Sequence, residues 1–358
     1  MSGKAGRQVS DSEGGALLDL HRLVPYLEEC LGDFRGPATA RKFPGGQSNP
    51  TFLIEAASGR YVLRRKPPGV LLRSAHAVER EYRVMKALGQ TAVPVPGMGL
   101  LCEDETIVGT PFFVMDFLDG RIFWDPALPD LTPEMRGDYY GEIARVLGEL
   151  ARLDPAAVGL ADYGRSGNYV GRQIARWVEQ YRASETVTVP DMEELIRHLS
   201  GWQPTDAKVA LVHGDFRLDN LVFHPIEPRI IGILDWELST LGTPLVDVAY
   251  FCTMLRLPRN GYVKGLGLLD RDEIGIPAET DFIRAYVQSS GLTLPDDWNM
   301  WLAFHAFRFA AITQGVKKRH LEGNASSADA ARAAAMMVVA AALGRQLAEE
   351  HVSNIPHS

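Results

Sequence analysis

The sequence lacks the features typical of secreted, membrane-spanning and nucleic-acid-binding proteins. Its 358 residues contain three cysteines, which lie far apart and form no C-x-x-C pair. So few cysteines exclude a disulfide framework and favour a reducing compartment. Acidic residues outnumber basic ones by 45 to 37, and the formal net charge of -8 argues against a general coat for nucleic-acid phosphates. Any anion-binding site must therefore be local.

Long apolar runs are missing as well. The most apolar stretch, residues 328–343, is rich in alanine, is interrupted by Arg332 and is shorter than the ~20 apolar residues of a membrane span. Residues 1–15 are small and polar, without the apolar segment of a signal peptide. We therefore expect a cytoplasmic protein with a flexible tail at residues 1–15, no membrane partner and no nucleic-acid partner. The oligomeric state stays open.

What the sequence does contain is an ordinary globular composition, with 46% hydrophobic and 23% charged residues. Hydrophobic periodicity predicts a strand-rich first lobe, residues 16–117, and a larger helical lobe with a small β insert, residues 118–358. This organisation indicates an α+β fold. The predicted strands span residues 38–43, 51–56, 61–65, 110–117, 209–213, 221–223 and 229–234. The predicted helices span residues 17–31, 75–88, 133–153, 169–182, 192–200, 244–255, 280–288, 297–320 and 328–343.

Polar residues cluster in the β insert. An apolar strand leads into His213-Gly214-Asp215, a polar turn leads to Asn220 and a second apolar strand, and a third strand ends at Asp235. This arrangement fixes Asp215 and Asn220 near each other, and the third strand can deliver a carboxylate to the same edge. Two carboxylates and an amide form an oxygen-rich site of the kind that Mg²⁺ prefers when phosphates supply the remaining ligands.

Such a site suits phosphoryl transfer, which needs a proton acceptor, metal ions and a cation for the phosphates. We predict that Asp215 is the catalytic base and that Asn220 and Asp235 are metal ligands. The offset of five positions from Asp215 to Asn220 equals the offset in the H-R-D-x-x-x-x-N catalytic loop of protein kinases.

These motifs carry a family resemblance. The segment from His213 to Asn220 and the I-L-D-W-E segment at residues 233–237 resemble the H-G-D-x-x-x-x-N and I-D-W-E motifs of the aminoglycoside phosphotransferase and choline kinase superfamily. The resemblance runs over nearly the whole chain. It implies a protein-kinase-like fold with an antiparallel-sheet N-lobe and a mostly helical C-lobe. Residues 61–69, 74–76 and 79–85 look most like the kinase-like domains fused to some acyl-CoA dehydrogenases.

The resemblance also implies roles for further residues. Glu81 would pair with the cation on the third strand. Asp116 and Phe117 would form the hinge between the lobes, with backbone groups that meet adenine. Asp247 would buttress the catalytic loop. The implied cofactors are Mg²⁺ and ATP or GTP.

Two departures from the family pattern concern the phosphates. Arg64 stands where the family commonly has Lys, and its planar guanidinium is not equivalent to an ammonium group. Because side chains alternate along a strand, Lys66 shares a face with Arg64 and is a substitute candidate. The loop at residues 45–49 lacks a full G-x-G-x-x-G, although its N–H groups and the Ser48 hydroxyl suit a phosphate.

Simpler interpretations stand beside some of these assignments. The glycine pair at residues 45–46 is also typical of a plain hairpin turn. Glu81 lies between Arg80 and Arg83, so it is alternatively a solvated helix charge. His213 is more readily explained as a structural hydrogen-bonding residue than as a proton shuttle.

The predicted function is an O-phosphotransferase, a small-molecule kinase that moves a phosphoryl group from ATP to an alcohol, with the nucleotide between the lobes and the acceptor in the helical lobe. A basic group on one predicted helix favours an acidic acceptor, and we hypothesise a hydroxyacyl-CoA-like one. That group comprises Arg308, Lys317, Lys318 and Arg319. The alternatives are an aminoglycoside-type phosphotransferase, a catalytically silent nucleotide-binding module that partners an acyl-CoA dehydrogenase, and a metal hydrolase using His213 and Asp215.

Overall fold

The computed structural model describes residues 18–43, 49–69, 77–165, 167–204, 208–261, 263–322 and 327–353. The chain divides into two compact units. The first unit contains the described residues up to Ile122 together with the segment Asp219–Ser239. The second unit contains Phe123–Leu218 and the described residues from Thr240 onward. The expected lobe boundary between residues 117 and 118 stays a prediction.

An antiparallel sheet of five strands forms the frame of the first unit. Its order is β1-β2-β3-β5-β4. Thr51 and Phe113 flank Arg64 in the register of β3, which fixes the position of this cation on the sheet. The strands are β1 Ala38–Lys42, β2 Thr51–Ala56, β3 Gly59–Arg65, β4 Met98–Cys102 and β5 Phe112–Asp116.

Three helices accompany this sheet: α1 Leu20–Cys30, α2 Val78–Leu88 and α3 Glu105–Val108. The N-terminus of α1 is capped by Asp19, whose carboxylate accepts N–H groups of the first turn. Leu23 and Leu27, on the apolar face of α1, are fully buried in a core with sheet residues such as Leu63. Burial of this face stabilises the unit because apolar surface is removed from water.

A two-stranded ribbon completes the first unit, with β7 Leu221–Phe223 paired to β8 Ile230–Ile233. Phe223 exchanges two backbone hydrogen bonds of 2.8 Å with Arg121, and the Ile233 N–H donates to the Pro94 carbonyl at 2.9 Å. These bonds join the ribbon to the segments that flank β4 and β5. The ribbon therefore belongs structurally with the sheet, although it lies a hundred residues further along the chain.

The second unit is mostly helical. A second ribbon, of β6 Ala210–Val212 and β9 Thr240–Gly242, lies among its helices. The aromatic residues Phe304, Phe307 and Phe309 are buried. The helices are α4 Pro133–Arg152, α5 Tyr169–Ser184, α6 Pro190–Gly201, α7 Leu245–Arg256, α8 Glu279–Ser290, α9 Trp298–Leu321 and α10 Ser327–Ser353.

The α+β prediction is confirmed, with an antiparallel sheet in one unit and helices dominating the other. The sequence analysis missed β4 and β9. Both strands lie in stretches that contain glycine and proline, and these residues are depleted in strand interiors. The sequence pattern therefore did not indicate a strand there. Across the described part of the chain, no helix combines the length and the apolar character needed to cross a membrane.

Candidate active site

One candidate cluster lies in the first unit and is centred on Arg64. Its Nε lies 2.9 Å from Glu81 Oε2, and its Nη2 lies 2.7 Å from Asp235 Oδ1 and 3.5 Å from Glu237 Oε2. The side chains of Arg64 and Glu81 are 11% and 2% exposed. Glu81 is therefore a buried ion-pair partner, and its alternative interpretation as a solvated helix charge is wrong.

Burial dominates the electrostatics of this cluster. Burial raises the pKa of Glu81 to about 7, and the attraction of Arg64 only partly opposes this shift. Burial alone would lower the pKa of Arg64. The attraction of the three carboxylates is larger, so the pKa of Arg64 is raised. One guanidinium thus pairs with three carboxylates.

Asp235 owes its position to an unusual backbone conformation. It follows β8 with φ 68° and ψ 57°, in the left-handed region. For a residue other than glycine, such a conformation costs of order 1–3 kcal/mol and is frequent at functional sites. Asn220 lies at the same end of the ribbon, because its carbonyl accepts the Leu234 N–H at 2.8 Å. The two predicted metal ligands thus share one ribbon end.

The donor chemistry at this ribbon end fits Mg²⁺. The amide of Asn220 and the carboxylate of Asp235 offer the hard oxygen donors that Mg²⁺ prefers. Among the described residues, no three His, Cys, Asp or Glu side chains form a complete metal cage. A Mg²⁺ ion held here would take its remaining ligands from phosphate oxygens or water.

The other residues predicted to bind nucleotide are more dispersed. Lys66 Nζ lies 2.9 Å from Glu79 Oε2, in a partly exposed ion pair separate from that of Arg64. Asp116 is exposed at the end of β5, and the Phe117 ring lies 4.4 Å from the guanidinium carbon of Arg60. Ser48 lies outside the described residues, as does the glycine pair at residues 45–46.

A second candidate cluster lies in the second unit, on the loop that follows β6. Asp247, on α7, accepts the backbone N–H groups of His213 at 2.7 Å and Gly214 at 2.9 Å. Burial raises the pKa of Asp247 against these stabilising contacts. Gly214 has φ +84°, which favours glycine at this position. Arg308 Nη2 donates to the Gly214 carbonyl at 2.7 Å and fixes the loop from the other side.

Asp215 is the partly exposed group on this braced loop. Its side chain is 22% exposed, whereas His213 is fully buried and accepts the Asp215 N–H on Nδ1 at 3.2 Å. The Tyr250 hydroxyl donates to Asp215 Oδ1 at 2.8 Å, and Arg217 Nε lies 3.3 Å from the same oxygen. The geometry of His213 agrees with a structural hydrogen-bonding residue.

Arg308 is a buried cation beside this loop. It is 8% exposed, and its guanidinium carbon lies 5.5 Å from the Trp177 ring centroid and 5.2 Å from that of Tyr250. Within the described part of the chain, no carboxylate lies within ion-pair distance of Arg308. The basic residues expected to act together on α9 do not form one group. Lys317 lies nine residues after Arg308, which is about 13 Å along the helix axis. Lys318 instead donates to the Ala183 carbonyl.

Sequence reasoning assigned no role to several residues of these two clusters. Glu237 lies within the I-L-D-W-E segment, but its spacing gave no reason to expect contact with Arg64. Tyr250 follows Asp247 by three positions on α7, so helical spacing is the signal that predicts both side chains on one face. Trp177 carried no comparable signal.

Comparisons with known proteins agree on one family. A model of the phosphotransferase enzyme family matches residues 39–282. Acyl-CoA dehydrogenase family member 10 of Mus musculus is 47% identical over 310 residues. That match covers 86% of this chain, and the chain spans only 29% of the mouse protein.

Solved structures extend the comparison. The crystal structure of a candidate aminoglycoside phosphotransferase from Ralstonia eutropha JMP134 is 43% identical, with a TM-score of 0.86, and the match covers 93% of this chain and 99% of that one. A thermostable mutant of aminoglycoside phosphotransferase APH(4)-Ia, in ternary complex with AMP-PNP and hygromycin B, is 17% identical with a TM-score of 0.58. That match covers 90% of this chain and 98% of the other, and shows the shared fold alone.

Proposed function

The chain belongs to the phosphotransferase enzyme family, and from this we propose that it moves the γ-phosphoryl group of ATP or GTP to a hydroxyl group of a small acidic molecule. The observation that carries the proposal is Asp215, a partly exposed carboxylate on a loop braced by two buried charged residues, Asp247 and Arg308. Pre-organisation of this kind is what phosphoryl transfer requires of a protein.

Asp215 is the proposed proton acceptor. The acceptor oxygen forms a bond to the γ-phosphorus while the bond between that phosphorus and the β,γ-bridging oxygen breaks. The nucleoside diphosphate leaves, and Asp215 takes the proton of the hydroxyl. The role suits a carboxylate that receives hydrogen bonds yet keeps part of its surface exposed.

The first unit is the proposed nucleotide-binding part. Arg64 would hold the phosphates, and Asn220 and Asp235 would hold Mg²⁺, which when bound neutralises charge on the β- and γ-phosphates. Glu81 supports this role by fixing the guanidinium of Arg64. Lys66, Ser48 and the hinge residues Asp116 and Phe117 stay proposed contacts.

An acidic acceptor is favoured by the charges near Asp215. Arg308 is a buried cation without a carboxylate partner in the described part of the chain, and Arg217 lies beside Asp215. A polycationic aminoglycoside would meet like charge there, whereas a hydroxyacyl-CoA carries phosphates and a thioester. The name of the mouse relative, an acyl-CoA dehydrogenase family member, agrees with an acyl-CoA acceptor.

A panel of acceptors tests this proposal. ADP release with MgATP is measured with hydroxybutyryl-CoA isomers whose hydroxyl lies on carbon 2, 3 or 4, with butyryl-CoA as the matched control and with kanamycin. We expect turnover with at least one hydroxyacyl thioester, none with butyryl-CoA, and a phosphate ester visible by ³¹P NMR. Turnover of kanamycin alone would contradict the acidic acceptor.

A catalytically silent nucleotide-binding module is the second candidate. The observation in its favour is that Asp235, a proposed metal ligand, is paired with Arg64. Thermal shift with MgATP separates the candidates when it is combined with the acceptor panel. A large MgATP shift without turnover of any acceptor supports the silent module, and turnover excludes it.

A further inference from the structure

Tyr250 is a buried hydroxyl directed at the proposed catalytic base. It lies on α7, one turn beyond Asp247, so a single helix presents both side chains to the loop after β6. The Tyr250 hydroxyl donates to Asp215 Oδ1 at 2.8 Å. Two residues of one helix thus hold two different parts of the same loop: Asp247 holds backbone N–H groups, and Tyr250 holds the carboxylate.

The pKa of Tyr250 determines which group donates in its hydrogen bond with Asp215. Burial, together with the nearby charge of Asp215, raises the pKa of Tyr250 far above its usual value. The phenol therefore stays protonated and acts as the donor to the carboxylate. A hydrogen bond to an ionised acceptor is about twice as strong as one between neutral groups.

The ring of Tyr250 is held from two sides. The guanidinium carbon of Arg308 lies 5.2 Å from its centroid, and the His305 ring centroid lies 5.5 Å away. Tyr250 itself is 6% exposed. A hydroxyl on such a confined ring has little freedom, so it can hold the carboxylate in one plane.

We propose that Tyr250 is a positioning residue, whose hydroxyl anchors Oδ1 of Asp215 and fixes the orientation of the carboxylate for proton transfer from the acceptor. This inference rests on the proposed role of Asp215 as the base. It goes beyond that role because it assigns to Tyr250 a hydrogen bond that orients the carboxylate, beside the ion pair of Arg217 with the same oxygen. Arg308 contributes indirectly, by holding both the phenol ring and the Gly214 carbonyl.

Steady-state kinetics of four variants test the proposal, with MgATP and the hydroxybutyryl-CoA isomers as probes and ADP release as the readout. The variants are Tyr250→Phe, Asp215→Asn, their combination, and Tyr140→Phe. Tyr140 is the matched control, because it is a fully buried tyrosine of the same unit whose hydroxyl donates to the Pro126 carbonyl at 2.7 Å.

Tyr250→Phe should lower kcat about 10- to 100-fold, the loss expected for a hydrogen bond to a charged group, with KM for MgATP within twofold of the wild-type value. Tyr140→Phe should leave kcat unchanged. Combining Tyr250→Phe with Asp215→Asn should add no further loss, because the phenol acts only through the carboxylate. A purely structural role would instead give additive losses.

The outcomes distinguish a failure of the positioning role of Tyr250 from a failure of the proposed role of Asp215 as the base. If Asp215→Asn abolishes turnover while Tyr250→Phe keeps the wild-type kcat, the positioning role is overturned and the proposed function stands. If Asp215→Asn keeps the wild-type kcat, the proposed base itself is wrong. A crystal structure of Tyr250→Phe needs no acceptor: we expect the Asp215 carboxylate to rotate, and an unchanged carboxylate would overturn the inference.

Discussion

At the scale of single residues, the cluster in the first unit depends on the guanidinium of Arg64, which faces three carboxylates. Arg satisfies several carboxylates at once because its planar group presents five donors, whereas Lys offers a single point charge. Arg64 accordingly pairs with Glu237 as well as with Glu81 and Asp235.

Removing this cation should destabilise the protein. Arg64→Gln leaves the buried Glu81 carboxylate without its partner, and we expect the free energy of unfolding to fall by about 3 kcal/mol. Urea denaturation at pH 7.5 measures the loss. Glu81→Gln in the same chain should restore part of it, since the unpaired buried charge is then absent. A loss below about 0.5 kcal/mol for Arg64→Gln would contradict the ion-pair account.

Glu81 should also make stability depend on pH. Its pKa in the folded protein is raised from 4.5 to about 7, so the folded state binds more protons than the unfolded state between these values. The contribution of Glu81 to stability therefore falls as pH rises through this window. Relative to wild type, Glu81→Gln should gain Tm from pH 4.5 to 7 and then level off. A Tm difference between Glu81→Gln and wild type that shrinks with rising pH would contradict the raised pKa of Glu81.

At the scale of elements, much of the fold could be predicted from the sequence. Strand β2 and the helices α4 and α9 have strong periodicity, and their predicted bounds agree with the observed ones within a residue or two. β4 and β9 were not found, because glycine and proline lie in or beside them and strand patterns rarely contain these residues. The motif residues Asp215 and Asn220 were recognised from spacing, whereas contacts such as that of Tyr250 arise only from packing.

The loop after β6 depends on one carboxylate of α7. Asp247→Asn keeps the size of the side chain but offers one acceptor oxygen to two buried N–H groups. We expect the free energy of unfolding to fall by about 1–3 kcal/mol, and kcat to fall with it. Chemical denaturation and ADP release measure the two effects. Unchanged values for both would show that Asp247 does not brace the loop.

The ribbon of β7 and β8 depends on glycine where the chain from β5 approaches it. A Cβ at Gly120 would lie 2.4 Å from the Phe223 carbonyl oxygen and 2.5 Å from Val222 Cγ1. Gly120→Ala should therefore cost about 1–3 kcal/mol of stability through overpacking. Gly137→Ala is the matched control within α4, where a Cβ meets nothing within 4 Å. Helix propensity predicts that it stabilises by up to about 1 kcal/mol. Equal Tm values for the two variants would contradict the close approach.

At the scale of the whole molecule, the two compact units divide the proposed chemistry. The first unit carries the strand cation and both proposed metal ligands, and the second carries the proposed base with its positioning residues. The short segment between Asp215 and Asn220 connects the two units along the chain. A single sequence motif therefore includes residues of both units. The chain spans 29% of its mouse relative, so the activity of that whole protein stays a proposal for this chain.

The most direct test of the central claim is a comparison of wild type with Asp215→Asn in single-turnover phosphoryl transfer. Both proteins are loaded with MgATP labelled on the γ-phosphate and mixed with the hydroxybutyryl-CoA isomers, and MgATP binding is measured separately by calorimetry. We expect Asp215→Asn to bind MgATP with the wild-type Kd within threefold and to transfer phosphate at least a hundredfold more slowly. Transfer at the wild-type rate by Asp215→Asn would contradict the account.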